Sequence, residues 1–116
     1  MALLMPLKRN GSDLNEDTMN EINSETKQKI ISIIKALMPT AKIYLFGSRA
    51  RGTARKWSDI DIALDVGHAV PLTAIDELIS MFQATNIPYK IEIVDFHQVN
   101  PDMQNAIKNE GVLWKP

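Results

Sequence analysis

The segment Phe46-Gly47-Ser48-Arg49-Ala50-Arg51-Gly52, followed five residues later by Ser58-Asp59-Ile60-Asp61-Ile62-Ala63-Leu64-Asp65, decides how this chain is read. Its second half alternates strictly. Ile60, Ile62, Leu64 and Val66 fall on one side of an extended strand, and Asp59, Asp61, Ala63 and Asp65 on the other. Same-face neighbours on a strand lie about 6.5 Å apart, so Asp59 and Asp61 offer two carboxylates side by side. Carboxylates at that spacing suit a pair of divalent ions about 3.5–4 Å apart, the arrangement used for in-line displacement at phosphorus. The apolar face anchors the strand in a core and holds the acids on a rigid element. Two aspartates on a strand are, taken alone, more often a solvated face, although Asp is depleted in strands.

The preceding segment changes the weighting. Ala41-Lys-Ile-Tyr-Leu-Phe46 reads as a strand that Gly47 ends. Gly47 permits a tight turn and close approach of a phosphate. A helical turn over residues 48–51 would point free N–H groups at an anion, with the Ser48 hydroxyl beside them. Standing alone, this segment would be a turn with a capping serine. The combined string is Gly47-Ser48-x-x-x-Gly52, five residues, then Ser58-Asp59-x-Asp61. Six fixed identities match at a given start by chance less than roughly once in ten million.

That string closely resembles the signature of the nucleotidyltransferase superfamily that includes DNA polymerase beta, the kanamycin-type nucleotidyltransferases and the small MNT proteins. The resemblance covers most of residues 25–114. It implies an α/β (α+β) fold, a small mixed sheet flanked by helices like the polymerase beta palm. It further implies that Gly47 and Ser48 hold a nucleoside triphosphate, that Asp59 and Asp61 bind Mg²⁺ or Mn²⁺, and that Ser58 fixes their orientation. A third acid is expected on a later strand in an apolar-acid-apolar context. Ile91-Glu92-Ile93-Val94-Asp95-Phe96 supplies it, and its first acid, Glu92, takes the family position, where Asp is commoner. Glu92 would ligate the acceptor-side metal or take the acceptor proton. Asp95 lies on the other strand face, since its separation from Glu92 is odd.

The resemblance also implies ATP as nucleotide, AMP as the transferred group and a hydroxyl as acceptor. Larger relatives carry a helical lobe that presents the acceptor. Here the acceptor site is expected from another chain, a helical HEPN-type partner of which this protein is the antitoxin, modified for example on a tyrosine. Two alternatives stand beside this reading. One is a non-catalytic module that neutralises its partner by stoichiometric contact, and the other is transfer to a small molecule or an RNA end.

Working outward, Arg49, Arg51, Arg55 and Lys56 form a basic cluster beside the loop, and Arg51 is the expected contributor to neutralising triphosphate charge. Trp57 is expected to pack, with stacking on a base as the functional alternative. Asp65 is read as surface, and His68 and His97 as loop residues without partners. Ile30, Ile33, Ile34, Leu37 and Met38 form one apolar helical stripe that Pro39 ends, with Thr18-x-x-Glu21, Asn23 or Ser24 as its cap. Ile75, Leu78, Ile79 and Phe82 mark a second helix, capped at Thr73-x-x-Asp76. Residues 89–96 form the third strand. Asn100-Pro101 opens a short helix with Met103, Ala106 and Ile107 inward, and Val112-Leu-Trp114 adds an edge strand.

With 116 residues, 45% hydrophobic and 23% charged, the chain fits one small packed domain. Residues 1–20 are expected to be a flexible segment and 21–116 the single nucleotidyltransferase domain. The absence of Cys excludes a thiolate site, and two His make a His-rich zinc site improbable, so carboxylates must hold any metal. A net charge of −1 provides no field for long nucleic acid. No run reaches membrane-spanning length, and the opening apolar residues precede Lys8-Arg9, the reverse of secretory order. The expected location is the cytoplasm.

Overall fold

The computed structural model describes residues 22–115. The expectations for residues 1–20 and for the Thr18–Glu21 cap lie outside the described residues. Helix α1 (Ser24–Leu37) starts at Asn23, whose side chain accepts the Thr26 N–H at 2.8 Å. Its stripe buries Ile30, Ile31, Ile34 and, just past the end, Met38. Strand β1 (Lys42–Phe46) leads into the single turn α2 (Ser48–Arg51). Strand β2 (Ile60–Asp65) follows, then α3 (Leu72–Gln83), β3 (Ile91–Asp95), α4 (Pro101–Glu110) and β4 (Val112–Lys115).

The sheet order is β3-β2-β1-β4, with β2 parallel to β3 and β1 antiparallel to both β2 and β4. A parallel pair needs a crossover, and α3 supplies it. This is the small mixed sheet with helices that the sequence implies. Two local expectations change. α3 begins at Leu72 behind Pro71, without the Thr73 cap, because proline already holds a helix-compatible φ and lacks the donor that a helix start leaves unsatisfied. In α4, Asn100 caps as expected by accepting the Met103 N–H, but the Met103 side chain is exposed. Gln104 turns inward instead and donates to the Phe96 carbonyl at 2.8 Å.

The two sheet faces have different fates. Ile43, Leu45, Ile60, Ile62, Leu64 and Ile93 meet α1 and α3 in the main core. Truncating a fully buried residue such as Ile34 there to Ala costs about 2–5 kcal/mol. The opposite face carries a smaller cluster of Ala63, Phe96 and Ile107, flanked by Tyr44, Phe46 and Val94. Among the described helices α4 covers that half, through Ile107. The other half of the same face, toward Asp61 and Glu92, is the one on which the acids stand. No helix among the described residues is long and apolar enough to cross a membrane.

Candidate active site

The site is assembled where β1 ends and β2 begins, which antiparallel pairing brings together. Phe46 pairs with Asp61 in the β1–β2 register, so the chain leaves β1 beside the second aspartate. Gly47 then turns with φ 75° and ψ −154°, a conformation that L side chains avoid. A Cβ at this position would land on the Asp61 carboxylate. Only glycine therefore lets the loop pass that close to the acid. Ser48 follows half-buried at the head of α2, and the Gly47 carbonyl accepts the Ala50 and Arg51 N–H groups at 3.1 Å.

On the other side, β2 and β3 run parallel with Asp61 opposite Glu92. Paired residues on neighbouring strands point to the same face, so the tertiary pairing puts Glu92 beside Asp61. Asp59 sits just before the first paired residue of β2, Ile60, whose N–H bonds to the Lys90 carbonyl at 2.9 Å. Burial first, then the charges of Asp59 and Glu92, push the Asp61 carboxyl above its ordinary value, and Arg51 and Arg49 only partly offset them. Lys90 reaches Glu92 at 2.8 Å, and that hydrogen bond and charge hold the exposed ammonium protonated above its usual range.

Asp95 has a different task. It is 6% exposed, and its carboxylate accepts the Val70 and His97 N–H groups and the Gln98 side-chain amide at 2.7, 3.0 and 2.8 Å. Those bonds fix the loops at the far ends of β2 and β3 and leave Glu92 as the β3 acid on the Asp61 face.

Among the basic residues the structure separates two roles. Arg51 reaches out to Glu110 at 3.6 Å, with both side chains about half exposed. Arg49 turns inward. Its Nη2 donates to the Ser58 and Lys56 carbonyls at 2.9 and 3.1 Å, its Nε to the same Ser58 carbonyl at 3.3 Å, and its guanidinium lies 4.7 Å from the Tyr89 ring centre. The Ser58 hydroxyl accepts the Arg55 N–H at 2.8 Å, closing the turn that delivers Asp59. Sequence reading missed this function of Arg49. The available signal was a guanidinium whose several donors suit a set of converging carbonyls.

Three further readings change. Trp57 does not pack in the core but is 64% exposed, tilted against Tyr89 with ring centres 5.9 Å apart, because the turn held by Arg49 and Ser58 lifts it off the sheet. His97 has a partner, Asp65, at 2.6 Å. Asp65 is accordingly more enclosed than a surface acid. Burial would raise its carboxyl, but the Gly67 N–H at 2.8 Å and His97 outweigh that and leave it below its ordinary value. Among the described residues His68 bonds to the adjacent Ala69 carbonyl.

The donor set around Asp61 suits a hard divalent cation: its oxygens are carboxylate, and its crowded negative charge is what a cation relieves. Among the described residues no three His, Asp or Glu side chains close into a complete metal cage.

Comparison with known proteins identifies the family and the fold. The family model "Polymerase beta, Nucleotidyltransferase" matches residues 28–114. "Probable protein adenylyltransferase MntA" of Haemophilus influenzae is 28% identical over 93 residues, spanning 80% of this chain and 82% of that protein. A crystal structure of a toxin-antitoxin with AMP-PNP is similar at a TM-score of 0.66 and 28% identity, over 76% of this chain and 71% of that one. A complex of a tri-AMPylated Shewanella oneidensis HEPN toxin with its MNT antitoxin matches at a TM-score of 0.64 over 80% and 71% of the chains, and its 23% identity speaks for the fold alone.

Proposed function

Because the chain belongs to the polymerase beta nucleotidyltransferase family, we propose that it transfers AMP from ATP to a hydroxyl on a HEPN-type partner protein, as the antitoxin of the pair. The observation that carries this reading is the meeting of Gly47, Asp61 and Glu92. A glycine turn lies against one carboxylate, and a second carboxylate stands opposite it on the neighbouring strand. Two relatives support the choice of group and partner: one bears the name of a protein adenylyltransferase, and the other is a toxin-antitoxin with AMP-PNP.

In this reading residues 21–116 form the catalytic domain. Gly47 and Ser48 bind the triphosphate, with Arg51 free to swing from Glu110 toward its charge. Asp59 and Asp61 hold Mg²⁺, positioned by the Arg49 and Ser58 contacts to their turn. The metal supplies charge neutralisation at the phosphates and lowers the barrier to displacement at phosphorus. The acceptor oxygen attacks the α-phosphorus, and the bond from that phosphorus to the α,β-bridging oxygen breaks. Pyrophosphate leaves with the electron pair, and the acceptor proton passes to the Glu92 carboxylate. The product is an AMP ester on the partner.

The test is incubation of the HEPN-type partner with ATP, Mg²⁺ and either the wild-type chain or the Asp59→Asn/Asp61→Asn variant, read by intact mass. One or more AMP additions are expected with wild type and none with the variant. A partner left unmodified by wild type, yet neutralised by both proteins, would refute the transfer and favour a stoichiometric binder.

A further inference from the structure

We propose that the partner's acceptor segment docks as an added β-strand along the open edge of β3, with the acceptor residue opposite Glu92. This rests on the transfer reading above and says how the hydroxyl reaches the site. Among the described residues β3 is an outer strand of the sheet. The Ile60 N–H reaches the Lys90 carbonyl, and the Phe96 N–H reaches the Leu64 carbonyl, so the even-numbered residues of this segment turn their backbone groups toward β2. In a parallel ladder the intervening residues face the other way. Ile91 and Ile93 therefore present their N–H and C=O groups outward. The open stretch stops at Asp95, whose carbonyl accepts the Gln98 N–H at 2.9 Å.

Exposed edges are normally blunted by proline, a bulge or an inward charge. Residues 91–95 contain no proline, the β2–β3 register runs without a bulge, and the buried charge of this strand, Asp95, lies at its end, where the open stretch stops. Along this edge lies a groove of about 380 Å³ lined by apolar residues, Ile79, Phe82, Ile91 and Ile93 among them, and by polar ones, among them Lys90 and Glu92. An extended peptide places alternate side chains on opposite faces. On this edge one set would lie on the face of Ile91 and Ile93 and the other would stand beside Glu92. A residue directly opposite Glu92 has its Cβ about 4.5–5.5 Å away, within reach of a serine, threonine or tyrosine hydroxyl. The occupant is thus an extended segment with apolar residues at alternate positions and a hydroxyl between them. Main-chain hydrogen bonds supply its affinity, and the groove supplies its register.

Residue-resolved amide exchange on the full chain tests this, using a short peptide of alternating threonine and valine with one central tyrosine as the probe. The Ile91 and Ile93 amides are expected to slow roughly tenfold or more, while Glu92 and Val94, already paired with β2, stay unchanged. With ATP and Mg²⁺, AMP is expected on the tyrosine and is lost when the tyrosine moves by one position to the face of Ile91 and Ile93. Unchanged exchange at Ile91 and Ile93 under millimolar peptide overturns the docking, and so does slowing in the free chain as its own concentration rises, which assigns the edge to a second copy. AMP on the tyrosine without slowing removes the docking and keeps the transfer. Slowing with wild type but no AMP on either peptide keeps the docking and removes the transfer.

Discussion

Gly47 and Asp61, fourteen positions apart in sequence, are packed so closely that the glycine's missing side chain is what makes room for the aspartate's carboxylate. The same glycine holds a positive φ, so it meets two demands that no other residue satisfies. Gly47→Ala is expected to destabilise the protein by about 1–3 kcal/mol through backbone strain, with the displaced carboxylate adding to the loss. Urea unfolding measures the first effect, and magnesium-dependent ATP calorimetry measures the second. An alanine variant that folds and binds ATP like wild type would show that the close approach is incidental.

Asp61 predicts a conflict between stability and function. Its carboxyl is raised in the folded protein by burial and by Asp59 and Glu92. The ionised form is therefore less favourable folded than unfolded. That cost sets in as pH climbs above the ordinary value of 3.8 and is complete above the raised one. Metal-free Asp61→Asn should accordingly melt higher than wild type at neutral pH, and the gap should close as pH falls below 3.8. Transfer activity should drop by about a hundredfold or more. Melting curves across pH decide it, and an asparagine variant that melts lower at pH 7 contradicts the electrostatic argument.

Asp65 has the opposite sign. Its carboxyl is lowered by the Gly67 N–H and by His97, so it contributes stability above the ordinary value of 3.8 and loses it as pH falls through the lower folded value. Asp65→Asn should melt below wild type at pH 7 and converge with it in strong acid. Because Asp65 and His97 lie at the far end of β2 from Asp59, the variant should retain its AMP transfer when assayed well below its melting point.

Arg49 and Arg51 should separate cleanly. Arg49→Lys keeps the charge but not the planar fork that reaches the Ser58 and Lys56 carbonyls, and each such charged hydrogen bond is worth about 1.5–3 kcal/mol when protected from water. Partial exposure here places the expected loss at about 1 kcal/mol. As a positioning residue, Arg49 should affect the turnover number more than the KM for ATP, and its loss should speed amide exchange at Ser58. Arg51→Ala should raise the KM for ATP and leave Ser58 exchange unchanged. Equal behaviour of the two variants would erase the distinction.

Chelation supplies a further check on the carboxylate pair. Removing Mg²⁺ is expected to weaken ATP binding by wild type by about tenfold or more, while Asp59→Asn/Asp61→Asn, which lacks both carboxylates of the proposed site, should bind weakly and indifferently to the metal. Equal magnesium dependence in both proteins would locate the metal elsewhere.

Much of this protein was legible locally. The alternation from Ile60 to Asp65, the stripe from Ile30 to Met38 and the Asn100-Pro101 helix start each depend on neighbours within a few residues, so they can be read off the chain. So can the spacing of Gly47, Ser48, Asp59 and Asp61, because strand period and turn chemistry fix it before any tertiary contact forms. Other features needed the assembled sheet. Parity separated Glu92 from Asp95, but only the parallel pairing of β2 with β3 placed Glu92 opposite Asp61. Arg49, not Arg51, holds the aspartate turn, and Asp65 found His97 thirty-two residues away. These choices turn on which long side chain meets which carbonyl or carboxylate across the fold. No period in the sequence encodes that, because such contacts are set by the register between strands and the angle at which helices close over them.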